Sequence, residues 1–404
     1  MKIVFLASRF PPDFIGGGEW STKYIAEGLA ALGHSVTVFC GAADDAEELV
    51  SGVKIKRISA LHGLWDKPLF EKRKSAKMAG LLIKELDSNF DVIHAHDFRS
   101  AQALALLKLK NSYVTVRDFA PICGTTNNMW FDGKSCDGCT LRNVCLRCHR
   151  VREASMARKP FRIWQYKYNL NFRNATYKAI KNHVYISESL RNRISSRFVL
   201  PENITIIPNP VNPLWLQSPQ VDIKDNKAVV YAGTVDDYKG VNVLLEAFAR
   251  LYSETKNIEL IIVGNGKIDK YKKKIAGKFL DLPVVFTGKA TQEGVKKYFD
   301  QALVVVQPSV WEEPFGRTII EAYARGRAVV ASDIGGIKET FKEGTGKLVA
   351  PSDVAGLYSG LKEIISNPEE AKIMGDLGRK HVVENFTEEI IAKKYEEFYR
   401  TVVK

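Results

Sequence analysis

Two doubly wound α/β domains, each built on a parallel sheet, are what this sequence predicts. Three observations carry the prediction. Short, near-continuous apolar runs alternate with stretches of helical periodicity, the pattern of parallel strands covered on both faces. That alternation occurs twice, on either side of a proline-rich PNPVNP at residues 208–213. The chain has 404 residues, more than one hydrophobic core comfortably serves.

The elements follow in order. KIVFLA reads as a buried first strand. A loop with PP and GGG comes next, then EWSTKYIAEGLAAL with apolar residues at helical spacing, Gly33 to end the helix, and SVTVFC as a second strand. Strand, glycine loop, helix and strand make a βαβ unit. DVIHAHD and NSYVTVRD supply further strands. After the prolines, AVVYAG, IELIIVG, LPVVFTG, ALVVVQPS and RAVVASD each end in turn residues, with helical stretches such as VNVLLEAFARLYSE between them. TEEIIAKKYEEFYRTVV closes the chain as an amphipathic helix. Ligands of doubly wound sheets bind beyond the C-terminal strand ends, so the chemistry is expected there.

Composition narrows the class. Hydrophobic residues are 45% and charged residues 26%, as in ordinary globular proteins. There is no apolar run of membrane-spanning length, and MKIVFLASRFPP lacks the h-region and cleavage site of a signal peptide, so a cytoplasmic location is expected. The net charge is +13 and is unevenly spread. Residues 1–210 hold 31 Lys and Arg against 19 Asp and Glu, while the remainder holds 28 against 27. A basic first half points to an anionic partner, with a solvated basic face as the plain alternative.

The sharpest motif is EPFGRTIIE, which spaces Glu313 and Glu321 eight apart around Pro314 and Gly316. Its prolyl-glycyl turn leads from the strand ALVVVQPS into a helix of about ten residues ending near Gly326. A helix start offers unpaired N–H groups and the positive end of a dipole, suited to a diphosphate. Glu313 falls in the loop before the helix and Glu321 about one turn inside, where carboxylates accept hydrogen bonds from sugar hydroxyls. Two surface glutamates, one complementing the dipole, are the alternative.

This segment resembles the signature of family 4 of the retaining, GT-B fold glycosyltransferases. PPDFIGGGEW, DVIHAHD, ISESL, IPNPV, YAGTVDDYKG, VGNG and FTG resemble further family elements in order, so the likeness covers almost the whole chain. The resemblance implies Rossmann-like domains facing a central cleft: an acceptor-side domain over 1–208, a nucleotide-sugar domain over 209–386 and a C-terminal helix, 387–404, returning to the first domain. It implies a nucleotide-diphosphate sugar donor, a glycan or lipid-linked acceptor, and front-face transfer with retention. Glu313 would orient the transferred sugar and Glu321 hold the ribose. The backbone at Phe315 and Gly316, with Gly233, Gly264, Arg317 and Thr318 nearby, would meet the donor. Lys239 would neutralise the leaving diphosphate with no catalytic divalent metal. Gly17 and Gly18 would let a loop approach the phosphates.

Two departures from the family stand out. Thr234 follows Gly233 where relatives carry Arg, leaving Lys239 alone or Arg317 as a substitute. Arg117 stands where many relatives have His. A guanidinium cannot act as a general base, but it can bind an acidic sugar or an acceptor phosphate, or pair with Asp118. His94 and His96 alternate on one face of a strand and read as structural more readily than catalytic.

CDGCTLRNVCLRC places Cys136, Cys139, Cys145 and Cys148 in a C-x2-C-x5-C-x2-C pattern, with His149 adjacent and Cys123 upstream. In a reduced compartment such density favours a structural metal over disulfides. Zinc is the first expectation and an iron–sulfur cluster the alternative, holding a polar insertion (123–149) on the acceptor side. Residues 142–181 then carry eleven Lys and Arg against Glu153 alone, interleaved with Phe161, Trp164, Tyr166, Tyr168, Phe172 and Tyr177. That composition suits an anionic membrane surface and places the protein peripherally on the inner face of the cell membrane. Nucleic acid is the weaker partner, because a zinc-containing nucleic-acid-binding protein would not need EPFGRTIIE or two βαβ sets. A GT-B fold nucleotide-sugar epimerase is the other alternative.

Overall fold

The computed structural model describes residues 1–12, 16–62, 71–86, 89–130, 134–148, 151, 155–217, 222–223, 227–279 and 281–403. The chain forms two compact units. One comprises Met1–Phe131, Ser135–Pro210 and Glu388–Lys404; the other is mainly Val211–Thr387.

The first unit is laid on an eight-stranded sheet in the order β3-β4-β2-β1-β5-β6-β7-β8. Its strands are β1 (Lys2–Ala7), β2 (Ser35–Gly41), β3 (Ala46–Val50), β4 (Val53–Ile58), β5 (Val92–Ala95), β6 (Ser112–Val116), β7 (Asn182–Tyr185) and β8 (Asn203–Ile206). All pairings are parallel except β3 with β4, so the expectation of a purely parallel sheet needs correcting at this edge. Ser51 and Gly52, both with positive φ, turn that hairpin. Glu47, Glu48 and a 76%-exposed Leu49 lie on β3, an outer strand that no helix needs to cover. The interior strands are apolar because both their faces are covered: Ile3, Phe5, Val36, Val38, Val92 and Val184 share one core with Ile25 and Leu29 of the helix Gly17–Ala31.

The helix Glu388–Val402 belongs to this unit and packs on Gly17–Ala31. Its Tyr395 and Tyr399 are fully buried. Tyr399 Oη lies 2.7 Å from His94 Nδ1, and Thr115 Oγ1 is 2.9 Å from His94 Nε2. Both ring nitrogens of His94 are therefore engaged, which makes it a fastener between sheet and helix.

The second unit has a six-stranded parallel sheet, β11-β10-β9-β12-β13-β14. Its strands are β9 (Ala228–Ala232), β10 (Glu259–Val263), β11 (Val284–Gly288), β12 (Ala302–Gln307), β13 (Ala328–Ser332) and β14 (Gly346–Val349). β9 lies between β10 and β12, so chain order reverses beside it. The crevice beyond the ends of β9 and β12 is where ligands of such sheets bind.

Candidate active site

The loops after β9 and β12 meet at that crevice. After β9, Asp237–Lys239 form a 3-10 turn and Gly240 reverses the chain at φ +80°. A Cβ on Gly240 would stand 1.7 Å from the carbonyl oxygen of Pro308, so only glycine lets the two loops come this close. The N–H groups of Val310 and Trp311 both donate to Tyr238 O at 3.0 Å. Lys239 Nζ then reaches Glu313 Oε1 at 2.6 Å while lying 4.8 Å from the centre of the Trp311 ring.

Glu313 is 8% and Glu321 7% exposed, so the two are not surface glutamates. Ser309 Oγ at 2.7 Å and Gln307 Nε2 at 3.2 Å also donate to Glu313 Oε1. These two donors, from the end of β12 and the turn after it, were absent from the sequence reading; the polar QPS ending of ALVVVQPS was the available signal. Glu321 lies within the helix Arg317–Ala324, which begins after Gly316 without a side-chain cap. Arg317 Nε donates to Glu321 Oε1 at 2.8 Å. Burial raises the Glu321 carboxyl above its ordinary range, and Arg317 opposes that shift. Thr318 Oγ1 reaches Ala232 O at 3.5 Å, tying the helix start to β9. The Phe315 ring packs on Phe386. Gly264 follows β10 at φ +142°, where a Cβ would stand 1.8 Å from Gly233 O. Those two glycines mark a tight approach of neighbouring strand ends.

Gly17 and Gly18 sit differently from expectation. They open the helix Gly17–Ala31 and are not part of a loop. Gly18 has ordinary space for a Cβ, 3.5 Å from Arg117 Cδ. Arg117 Nε donates to His96 O at 3.3 Å, and its terminal nitrogens meet Asn209 Oδ1 and His96 Nδ1. His94 and His96 share a face, their rings stacked 4.4 Å apart, and burial holds both imidazoles well below their ordinary pKa.

Asp118 accepts Ala120 N–H at 2.8 Å, and burial pushes its carboxyl up to about 6. Ionising it therefore opposes folding once the pH passes the unfolded value near 4, and the full penalty is present above about 6. Asp118→Asn should gain stability relative to the parent as pH rises through that window and hold a constant advantage above it. Urea melts at pH 4, 5, 6 and 7 check this; a pH-independent difference would refute the assignment.

All six cysteines lie outside any disulfide, with Cys40, Cys123 and Cys136 buried. Cys145 lies on the short helix Leu141–Leu146. The Cys139 thiol is pushed up to about 12 by burial and then by the sulfurs of Cys123, Cys136 and Cys148. Among the described residues, no three His, Cys, Asp or Glu side chains form a group that could hold a metal ion. His149, beside the set Cys136, Cys139, Cys145 and Cys148, lies outside the described residues.

Comparison with known proteins bears on the whole chain. The description "Glycosyltransferase Family 4" matches residues 15–213 and "Glycosyl transferases group 1" matches residues 215–381. The chain belongs to the group 1, family 4-like glycosyltransferases. A glycosyltransferase of Methanocaldococcus jannaschii, itself uncharacterized, is 27% identical to it over 422 aligned residues, covering 99% of this chain and 98% of the relative. Sucrose-phosphate synthase from Thermosynechococcus elongatus shares its fold with a TM-score of 0.74 at 23% identity, over 99% and 98% of the two chains. Anabaena HepE, solved in complex with UDP-glucose, has a TM-score of 0.69 at 17% identity, over 99% and 100%. The glycosyltransferase therefore has the GT-B type of two α/β domains, and the nucleic-acid-binding alternative gives way.

Proposed function

We propose that this glycosyltransferase transfers a sugar from a nucleotide-diphosphate donor to a glycan or lipid-linked acceptor with retention of the anomeric configuration. The observation that carries the reading is the buried Glu313 carboxylate paired with Lys239 where the loops after β9 and β12 meet. As the glycosidic bond breaks, the sugar gains positive charge and the departing diphosphate negative charge. Lys239 and the uncapped start of the Arg317–Ala324 helix supply fixed positive potential for the diphosphate. Glu313, held by Ser309 and Gln307, orients sugar hydroxyls. Glu321 takes the ribose hydroxyls, exchanging Arg317 for them in part.

The relative solved with UDP-glucose makes UDP-sugars the first donors to test. The full chain should hydrolyse or transfer from at least one UDP- or GDP-sugar, and proton NMR of fresh product should show the donor's anomeric configuration. An inverted product would refute retention, and failure of every donor to bind would refute the site.

The acceptor reading includes an anionic membrane surface at the cytoplasmic face. Its support is the helix Lys159–Ala179, where Phe161, Trp164 and Tyr168 are exposed and stack along one side among Lys159, Arg162 and Lys167. Tyr177 is buried and takes no part. No helix among the described residues is long and apolar enough to cross a membrane. Trp164→Ala should cut sedimentation with phosphatidylglycerol vesicles severalfold; equal sedimentation of parent and variant would exclude this face.

A further inference from the structure

The first unit contains a cavity of about 300 Å³. Ala7 at the end of β1, Thr115 of β6 and His96 beyond β5 line it, so it occupies the crevice position of its own sheet. The start of the helix Gly17–Ala31 opens on it through Gly18, and that helix has no side-chain cap.

Its walls carry Arg9, Arg99 and Arg117. Burial depresses the Arg99 guanidinium, Asp97 opposes the shift, and Arg9 and Arg173 add like charge. Cations gathered at that depth favour an anion between them. Three carboxylates also line the cavity, but two are bound elsewhere. Asp97 accepts Ser8, Arg99 and Ser100 backbone N–H groups at 2.7, 2.9 and 2.9 Å, and Asp118 accepts Ala120 N–H. Glu19, the third, is half-buried on the first turn of its helix.

His96 adds an independent sign of a ligand. It is 2% exposed, and Arg117 Nη2 lies 3.2 Å from its Nδ1. A guanidinium only donates, so Nδ1 must accept. The buried imidazole is neutral, which places its single proton on Nε2. Among the described residues, that nitrogen is buried with no hydrogen-bond partner. A buried donor left unmatched is costly, and an oxygen acceptor in the cavity would satisfy it.

We propose that this cavity binds a phosphate group of the acceptor, held by Arg9, Arg99 and the Nε2–H of His96 beside the helix start at Gly18. The inference rests on the glycosyltransferase reading for the word acceptor; the phosphate site itself stands on the cavity. It narrows the acceptor to a sugar phosphate or a phosphate-bearing lipid.

The test uses the full chain and direct binding by calorimetry. Glycerol 3-phosphate stands for a lipid phosphate, glucose 6-phosphate for a sugar phosphate, and glycerol and glucose are their neutral matches. At least one phosphate ester should bind tenfold or more tightly than its neutral match, and should still bind with UDP at saturation. Arg9→Gln and Arg99→Gln should each weaken that binding by about tenfold to a hundredfold, with UDP affinity and melting temperature unchanged. Equal binding of neutral and phosphorylated compounds, displacement by UDP, or unaffected variants would each overturn the proposal. If UDP does not bind the parent, the donor reading fails on its own, and the ester titrations still decide the phosphate site.

Discussion

Glu313→Ala is expected to lower kcat/KM for sugar transfer by about 10²–10³-fold, the size of loss seen when one preorganised polar group at a reacting centre is removed. The basis is specific. Glu313 Oε1 receives Lys239, Ser309 and Gln307 together, so the carboxylate is fixed before substrate arrives. Removing it takes away the group that orients the sugar and releases Lys239 from its set position. The two effects act on one transition state, so Glu313→Ala and Lys239→Ala should not add: the double variant should be little worse than the poorer single. UDP affinity should change less than tenfold in Glu313→Ala, because Glu321 and the Arg317–Ala324 helix start remain. Steady-state kinetics with the active donor, and UDP binding by calorimetry, separate these terms. A Glu313→Ala enzyme within threefold of the parent would remove Glu313 from the mechanism.

The sequence exposed the motif but not its wiring. EPFGRTIIE marked Glu313 and Glu321 because a prolyl-glycyl turn between a strand and a helix leaves a local trace. The Lys239–Glu313 contact joins residues 74 apart and depends on how β9 and β12 lie side by side, which no local pattern encodes. The strands with fully apolar runs were all legible. β3 and β4 were not, because AEELVSGVKIKRI carries charges on most outward positions and blurs into loop composition. β7 (NHVY), β8 (NITI) and β14 (GKLV) are short and open on polar or glycyl residues, which blurs them into the loops before them. Gly17 and Gly18 looked like a flexible loop because consecutive glycines disfavour helix; the helix nevertheless starts at Gly17, and packing of Ile25 and Leu29 in the core outweighs that local cost. Cysteine spacing predicted partners by proximity in sequence. Cys123, outside the two spaced pairs, also acts on the Cys139 thiol, an influence that depends on the path of the intervening chain.

Glu71→Ala should be the most destabilising single change in the first unit. Glu71 and Arg173 are 3% and 4% exposed and meet through two contacts, 3.0 Å from Nε to Oε2 and 2.6 Å from Nη2 to Oε1. Gln102 Nε2 adds 2.7 Å to Oε2, while Arg173 Nη1 donates to Cys123 O at 3.1 Å. The guanidinium also lies 4.4 Å from the centre of the Phe98 ring. One carboxylate thus joins the helices Glu71–Glu85, Phe98–Leu107 and Lys159–Ala179, and its partner Arg173 holds the cysteine segment through Cys123. Burial works against the Arg173 charge, and Glu71 outweighs it. Without Glu71, that charge stays buried with its main partner gone, a loss of about 3–5 kcal/mol by the general cost of breaking a buried pair. Replacing both partners by apolar residues of similar size removes the stranded charge. Glu71→Leu with Arg173→Met should therefore be more stable than Glu71→Ala, which mere loss of packing would not produce. Urea unfolding of the three proteins decides the point: a Glu71→Ala loss below about 1 kcal/mol would mean that water reaches the pair and that the three helices are held by their apolar faces alone.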